Sequence, residues 1–149
     1  MVLYPFSMMT LSKAVRIHAS SDRIWHVMTD IERWPEWTPS VTSIKRLTDG
    51  PLAVGSRVRI KQPKLLPAVW TVTQFHSGQS FDWTSSMPGV QVIGGHALQP
   101  AEDGCDVILS VRFEGTLSRF AEAAFGKLTE KYVQMEANGL KLRCEKGDS

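Results

Sequence analysis

The segment LSRFAEAAFGKLTEKYVQMEANGLKLRC, residues 117–144, is the longest periodic stretch of the 149-residue chain. Its apolar side chains recur every three or four residues, which predicts an amphipathic α-helix. At about 1.5 Å per residue this helix would be roughly 40 Å long, which is long for a domain of this size. The stripe carries the large, adaptable side chains of Phe120, Phe125, Tyr132 and Met135. Because predicted strands precede it, we expect the helix to form a wall over a cavity.

The chain before this helix predicts a strand, two short helices and a meander of further strands. Alternation predicts the first strand over residues 13–19, and the Ser-Ser-Asp sequence at residues 20–22 supplies capping oxygens for a helix over residues 22–29. A second helical turn follows over residues 31–34. The remaining strands are predicted over residues 41–47, 57–62, 69–75, 80–85, 91–98 and 106–114. Their short connections, rich in Gly, Pro, Asp and Ser, predict antiparallel pairing.

Strand alternation predicts which side chains face the interior of this sheet. Two places leave alternatives open. In the strand over residues 69–75, Trp70 and Val72 lie on the opposite face from Phe75, so either set could be buried. The Gly94-Gly95 pair inside a predicted strand is interpreted as a bulge or a sharp bend, and not as a phosphate-binding loop.

Composition and motif content exclude several classes of function. A net charge of +2 without a basic stripe argues against nucleic-acid binding, and no run of about 18 apolar residues could span a membrane. The sequence contains no dinucleotide, Walker or nucleophile-elbow motif, and its histidines and cysteines lack metal-ligand spacing. We therefore expect a cytoplasmic protein without cofactor or metal; monomer and homodimer both remain open. Cys105 and Cys144 are expected to be free thiols, Cys144 being the more exposed because helix ends fray.

The order of elements and three stretches of sequence resemble the helix-grip fold of the START-like superfamily, in particular its polyketide cyclase/dehydrase-like branch. The stretches are ASSDRIWHVMTDIERWPEWTPSV (19–41), GGHALQPAEDGCDVILSV (94–111) and KYVQMEANGLKLRCE (131–145). The resemblance implies an α+β fold in which a curved antiparallel seven-stranded sheet wraps around the long C-terminal helix, with a hydrophobic cavity between them. It implies no shared catalytic residues, because the superfamily includes lipid carriers, hormone receptors and aromatase/cyclases.

The resemblance covers residues 13–145, which we take as the domain. Residues 1–12 are predicted to be a flexible extension, with Met8 or Met9 as an alternative start, and residues 146–149 a tail. The cavity is expected to be bordered by Trp83, His96, Phe113, Phe125, Leu128 and Tyr132.

Two functions compete for this cavity. Binding of a small hydrophobic or aromatic ligand needs only an apolar cavity with a few polar groups, and we favour it. Aromatase/cyclase-like catalysis of aldol cyclisation and dehydration would also need a proton donor and acceptor, for which His96 and Tyr132 are the plausible pair. A partner-binding protein with a filled core is the third possibility.

Each candidate side chain also has a purely structural interpretation. Trp83 either stacks on a planar ligand or fills the face of the sheet, and the hydroxyl of Tyr132 bonds either a ligand or the backbone. His96 is most simply a hydrogen-bonded core histidine. Glu136, at the edge of the helical stripe, is expected to be solvated or salt-bridged and not catalytic.

Overall fold

The computed structural model describes residues 9–146, and its elements follow the predicted order. The helices are α1 (Ser21–Thr29), a 3-10 helix (Ile31–Glu36) and α2 (Ser118–Glu145). The strands are β1 (Met9–Ile17), β2 (Ser43–Arg46), β3 (Arg57–Lys61), β4 (Ala68–His76), β5 (Ser80–Met87), β6 (Val90–Ala101) and β7 (Gly104–Glu114). They form an antiparallel seven-stranded sheet in the order β1-β7-β6-β5-β4-β3-β2, which confirms the predicted helix-grip fold. Within the described range, no helix is long and apolar enough to cross a membrane.

Strand β1 begins at Met9, earlier than the predicted start at residue 13. Its first residues pair with the end of β7, Met9 opposite Phe113 and Leu11 opposite Val111. The long β7 strand thus provides backbone partners for residues 9–12, where the alternation of side chains in the sequence did not predict a strand. Residues 9–12 belong to the sheet and not to a flexible extension, which corrects that prediction. The rest of the predicted extension, residues 1–8, lies outside the described residues. So does most of the predicted tail, residues 147–149.

A register shift resolves the ambiguous strand β4. The pairing of β4 with β5 shifts between Val72 and Gln74. Val72 is buried before the shift, and Phe75 is opposite the fully buried Phe81 after it. An extra residue in one strand reverses the alternation of side chains beyond it. The sequence predicted that either the face of Val72 or the face of Phe75 would be buried. Each prediction is correct for part of the strand, because Val72 and Phe75 both pack against the core.

The Gly94-Gly95 pair serves close packing and does not mark a bulge. Both residues keep continuous register with β5 and β7. A Cβ atom at position 94 would lie 2.9 Å from Nε1 of Trp83, and one at position 95 would lie 2.5 Å from Oγ of Ser110. The two glycines therefore make room for the side chains of neighbouring strands, which corrects the predicted bulge.

The C-terminal end of α2 is tied to the start of the domain by hydrogen bonds to charged side chains. Nε of Arg23 donates to the carbonyl of Cys144 at 2.8 Å, and Nζ of Lys141 donates to the carbonyl of Arg16 at 2.8 Å. The carboxylate of Glu145 accepts the backbone N–H of His18 at 2.8 Å. A guanidinium that caps the last carbonyls of a helix opposes fraying of that end.

Both cysteines are free, as predicted, and both are buried, so the fraying that was expected to expose Cys144 does not occur. The exposed fraction is 0% for Cys105 and 2% for Cys144, because the Arg23 cap holds the helix end against the domain. Burial raises the pKa of the Cys144 thiol to about 11. This thiol is therefore protonated and unreactive at neutral pH.

Candidate functional site

His96 lies on the concave face of the sheet, where it faces a carboxylate of α2. It is 5% exposed, and its Nε2 lies 3.3 Å from Oε1 of Glu136, whose side chain is 17% exposed. Its other nitrogen, Nδ1, lies 3.3 Å from the carbonyl oxygen of Phe81. Strand β6 therefore places His96 between a backbone acceptor and a carboxylate acceptor.

Aromatic rings fix the orientation of this imidazole. Phe81 stacks on it with centroids 4.2 Å apart and planes inclined by 10°. Trp83 meets it edge-on at 5.2 Å, and Trp34 of the 3-10 helix lies 5.6 Å away. Such packing favours one ring orientation, so the partners of its two nitrogens are set by the fold.

The two neighbours of the His96 ring nitrogens are both oxygen atoms, one of a backbone carbonyl and one of a carboxylate. A carbonyl oxygen only accepts, so we assign a proton to Nδ1, which faces Phe81. Nε2 of a neutral imidazole and an ionised Glu136 would then meet as two acceptors. A favourable contact requires one additional proton, on the imidazole or on the carboxyl group. The fold thus places an imidazole nitrogen and a carboxylate oxygen 3.3 Å apart at the interface of sheet and helix.

Tyr132 has a backbone partner. It is 7% exposed, and its hydroxyl donates to the carbonyl of Pro63 in the loop between β3 and β4. Lys61 also donates to carbonyls in this loop, those of Gln62, at 2.7 Å, and Leu65. The sequence analysis predicted that the Tyr132 hydroxyl bonds either a ligand or the backbone, and in the structure it bonds the backbone. Tyr132 thus fastens the β3–β4 loop to α2.

The other predicted residues lie nearer the N-terminal half of α2. Phe113 is 5% exposed and packs in a small cluster with Val90 and Ala121. Leu128 is half-buried, and Phe125 is 42% exposed. The structure thus brings Trp83 and His96 into contact and places Phe113 in a separate cluster.

Phe125 is the exposed position on an inward face of α2 whose neighbouring positions are buried. Phe125 follows Ala121 by four residues and precedes Tyr132 by seven, so it shares their face of the helix. Ala121 is 8% exposed, Tyr132 is 7% exposed and Leu140 is fully buried. Phe125, at 42% exposed, is therefore much more accessible than its buried neighbours on this face.

The sequence analysis missed the role of Glu136. This residue follows Tyr132 by four positions, and that spacing places both on one helix face. Its carboxylate does lie beside a basic side chain, but that side chain is the interior residue His96, 3.3 Å away. The helical spacing that predicted an inward-facing Tyr132 also predicts an inward-facing Glu136. What it could not indicate is which strand residue lies opposite.

Solved structures with the same fold include proteins that act on or bind aromatic compounds. A di-domain aromatase/cyclase of the steffimycin biosynthetic pathway superposes with a TM-score of 0.75 at 10% identity, covering 93% of this chain and 51% of that one. Norcoclaurine synthase from Thalictrum flavum, in complex with dopamine and hydroxybenzaldehyde, superposes with a TM-score of 0.71 at 15% identity, covering 95% and 89%. A START superfamily protein from Mycobacterium smegmatis gives 0.73 at 17% identity, covering 92% and 97%. At these identities the likeness shows the fold.

Sequence comparison assigns the family. The persistence and stress-resistance toxin PasT of Escherichia coli O6:H1 (strain CFT073) is 21% identical over 146 residues, 97% of this chain and 92% of that protein. The family model described as polyketide cyclase/dehydrase and lipid transport matches residues 8–145, nearly the whole chain. The chain therefore belongs to the polyketide cyclase/dehydrase and lipid transport family, with the helix-grip fold of the START-like superfamily.

Proposed function

We propose that this protein binds a small hydrophobic or aromatic molecule between the concave face of the sheet and the N-terminal half of α2. The observation that carries the proposal is the 42% exposure of Phe125 on the helix face that also carries the buried Ala121 and Tyr132. A large apolar side chain left accessible beside buried ones provides contact area for a ligand. The proposed contact surface is the accessible Phe125 with the half-buried Leu128, and behind it lie the buried side chains of Trp83, His96, Phe113 and Tyr132.

The chemistry of this lining favours an aromatic or lipid-like ligand. It is mainly apolar, and its polar groups are the imidazole of His96, with its Glu136 partner, and the phenol of Tyr132. Small-molecule sites in proteins commonly combine apolar walls with a few oriented polar groups. The family description, which includes lipid transport, supports this proposal. So do the aromatic ligands held by norcoclaurine synthase. The cytoplasmic location remains a prediction.

Titration with the neutral fluorescent probe N-phenyl-1-naphthylamine tests the proposal. We expect saturable binding to the wild-type protein and a loss of about three- to tenfold in affinity for Phe125→Ala, which corresponds to about 0.7–1.4 kcal/mol. Phe120→Ala is the matched control, because Phe120 is 73% exposed and lies on the outer side of the same helix. Absence of saturable binding, or equal losses in the two variants, would contradict the proposal.

A second candidate function is aromatase/cyclase-like catalysis, which the 3.3 Å contact of His96 with Glu136 favours. Aldol cyclisation and dehydration need a proton donor and an acceptor at the reacting carbons. The hydroxyl of Tyr132 is already donated to Pro63, so Glu136 replaces Tyr132 as the proposed partner of His96. Turnover of a poly-β-keto thioester by the wild type, lost in Glu136→Gln with probe binding retained, would establish this function. If the folded wild-type protein binds the probe but does not turn over the substrate, the catalytic function is ruled out and ligand binding is the function that stands.

A further inference from the structure

Three connections of the fold meet at one end of the molecule. Strands β5 and β6 are joined there by a hairpin, and β7 ends there at Glu114, opposite Gln91 of β6. The β3–β4 loop lies at the same end, because β4 begins there in antiparallel register with the end of β5. The start of α2 is bonded to the hairpin, since the backbone N–H of Leu117 donates to the carbonyl of Gly89 at 2.9 Å.

Large apolar side chains are exposed at this end on all three connections. Leu66 of the β3–β4 loop is 87% exposed, and Phe120 in the first turn of α2 is 73% exposed. Met87 of the hairpin and Leu117 beside α2 are also exposed. Single exposed apolar residues are common, but a group of them from separate elements marks an interaction surface. We call these four side chains the apolar tip.

Basic side chains without ion pairs accompany the apolar tip. All are exposed, and none pairs with a carboxylate in the part of the chain from residue 9 to residue 146. They are Lys64 of the β3–β4 loop and Arg119, Lys127 and Lys131 of α2. Cations that a protein leaves unpaired around an apolar surface favour an anionic partner for that surface.

Most carboxylates near the apolar tip are already neutralised. Glu114 accepts a hydrogen bond from Nε of Arg112 at 2.7 Å, and Glu130 lies 3.5 Å from Nζ of Lys13. The half-buried Glu122 is the nearby carboxylate for which residues 9–146 supply no ion pair. The β6–β7 turn, which carries further acidic residues, lies at the opposite end of the sheet. The charge at the apolar tip is therefore positive.

The spacing of these side chains along α2 matches the depth profile of a lipid surface. Lys127 follows Phe120 by seven residues and Lys131 follows by eleven, so all three share one face of the helix. Lys127 therefore lies about 10 Å behind Phe120 along the helix axis. Interfacial helices insert apolar side chains about 5–10 Å into the boundary of headgroups and acyl chains, and lysines reach back to the phosphates. A second copy of this chain would instead oppose cations to cations.

We propose that the apolar tip docks on the surface of an anionic lipid bilayer. Phe120 and Leu66 enter the acyl boundary, and the basic side chains of α2 and the β3–β4 loop contact lipid phosphates. This inference goes beyond the proposed function and does not depend on it. Docking in this orientation brings the accessible Phe125, about 8 Å along α2 from Phe120, close to the membrane.

Co-sedimentation with lipid vesicles tests the proposal. We expect the wild type to bind vesicles of phosphatidylcholine and phosphatidylglycerol in equal amounts at least about tenfold more tightly than vesicles of phosphatidylcholine alone. Phe120→Ser should weaken binding to the mixed vesicles by about tenfold or more. Leu142→Ser is the matched control, because Leu142 is 72% exposed near the other end of α2, and it should bind as the wild type does.

A second pair of variants tests the charges. Lys127→Gln combined with Lys131→Gln should weaken binding to the mixed vesicles by about tenfold or more. Lys45→Gln combined with Arg59→Gln removes the same charge from exposed residues opposite each other on β2 and β3, and it should change binding by less than about threefold. Since all substituted side chains are exposed, every variant should unfold at the wild-type temperature. Leu66→Ser repeats the apolar test in a different element.

Three results would overturn the inference. The first is a wild type that does not sediment with the mixed vesicles, and the second is equal losses in Phe120→Ser and Leu142→Ser. The third is self-association in sedimentation velocity that Phe120→Ser abolishes, without vesicle binding, which would assign the apolar tip to a second copy of the chain. Vesicle binding by a protein that does not bind N-phenyl-1-naphthylamine would remove the proposed function and leave this inference standing.

Discussion

Replacing Trp83 by alanine decides whether this indole belongs to the core or to a ligand. The side chain is 4% exposed and contacts several rings: Trp34 and Phe81, both at 5.3 Å, His96 at 5.2 Å and Trp70 at 6.1 Å. Truncation of so well buried a tryptophan typically costs about 3–5 kcal/mol. That is a large part of the roughly 5–15 kcal/mol by which a domain is stable. We therefore expect Trp83→Ala to be folded but marginal.

Urea denaturation followed by circular dichroism measures this loss. For a slope of about 2 kcal/mol per molar urea, the midpoint of Trp83→Ala should fall by about 2 M. Trp70→Ala is the matched control, because Trp70 is half-buried on the adjacent strand and should lose only about 1–2 kcal/mol. Trp83 belongs to the main hydrophobic core cluster. A loss below about 1.5 kcal/mol for Trp83→Ala, with a large loss of probe affinity, would contradict a core role and make Trp83 a stacking surface for ligand.

Two further predictions concern α2. A Cβ at position 139 would lie 1.9 Å from the carbonyl oxygen of Trp37, whereas nothing lies within 4 Å of one at position 126. Gly139→Ala should therefore destabilise the protein by about 2–3 kcal/mol, and Gly126→Ala should stabilise it by about 0.5–1 kcal/mol. If the two variants shifted the thermal unfolding temperature by similar amounts in the same direction, the close approach of α2 to the 3-10 helix would be contradicted. The pKa of Cys144 is raised by burial from 9.0 to about 11, so its contribution to stability is complete below pH 9 and is lost as the pH rises toward 11. Cys144→Ala should lose less stability than the wild type between these two pH values, and parallel curves in urea denaturation would show that the thiol is not buried.

The sequence by itself determined the secondary structure and most side-chain faces, because these depend on local periodicity. A helical spacing over residues 117–144 predicted α2, observed as Ser118–Glu145. Alternation placed Trp83 and His96 on the inner face, where both are buried. The order of elements was specific enough to indicate the family.

Tertiary structure decided the features that depend on contacts between distant residues. The register shift in β4 follows from its pairing with β5, so alternation within β4 could not reveal that Val72 and Phe75 both reach the core. Glu136 meets His96 only because α2 crosses β6 at that level. The exposure of Phe125 likewise depends on what the rest of the chain places over it. Periodicity predicts the direction of a side chain, but its partner and its access to solvent are set by the packing of whole elements.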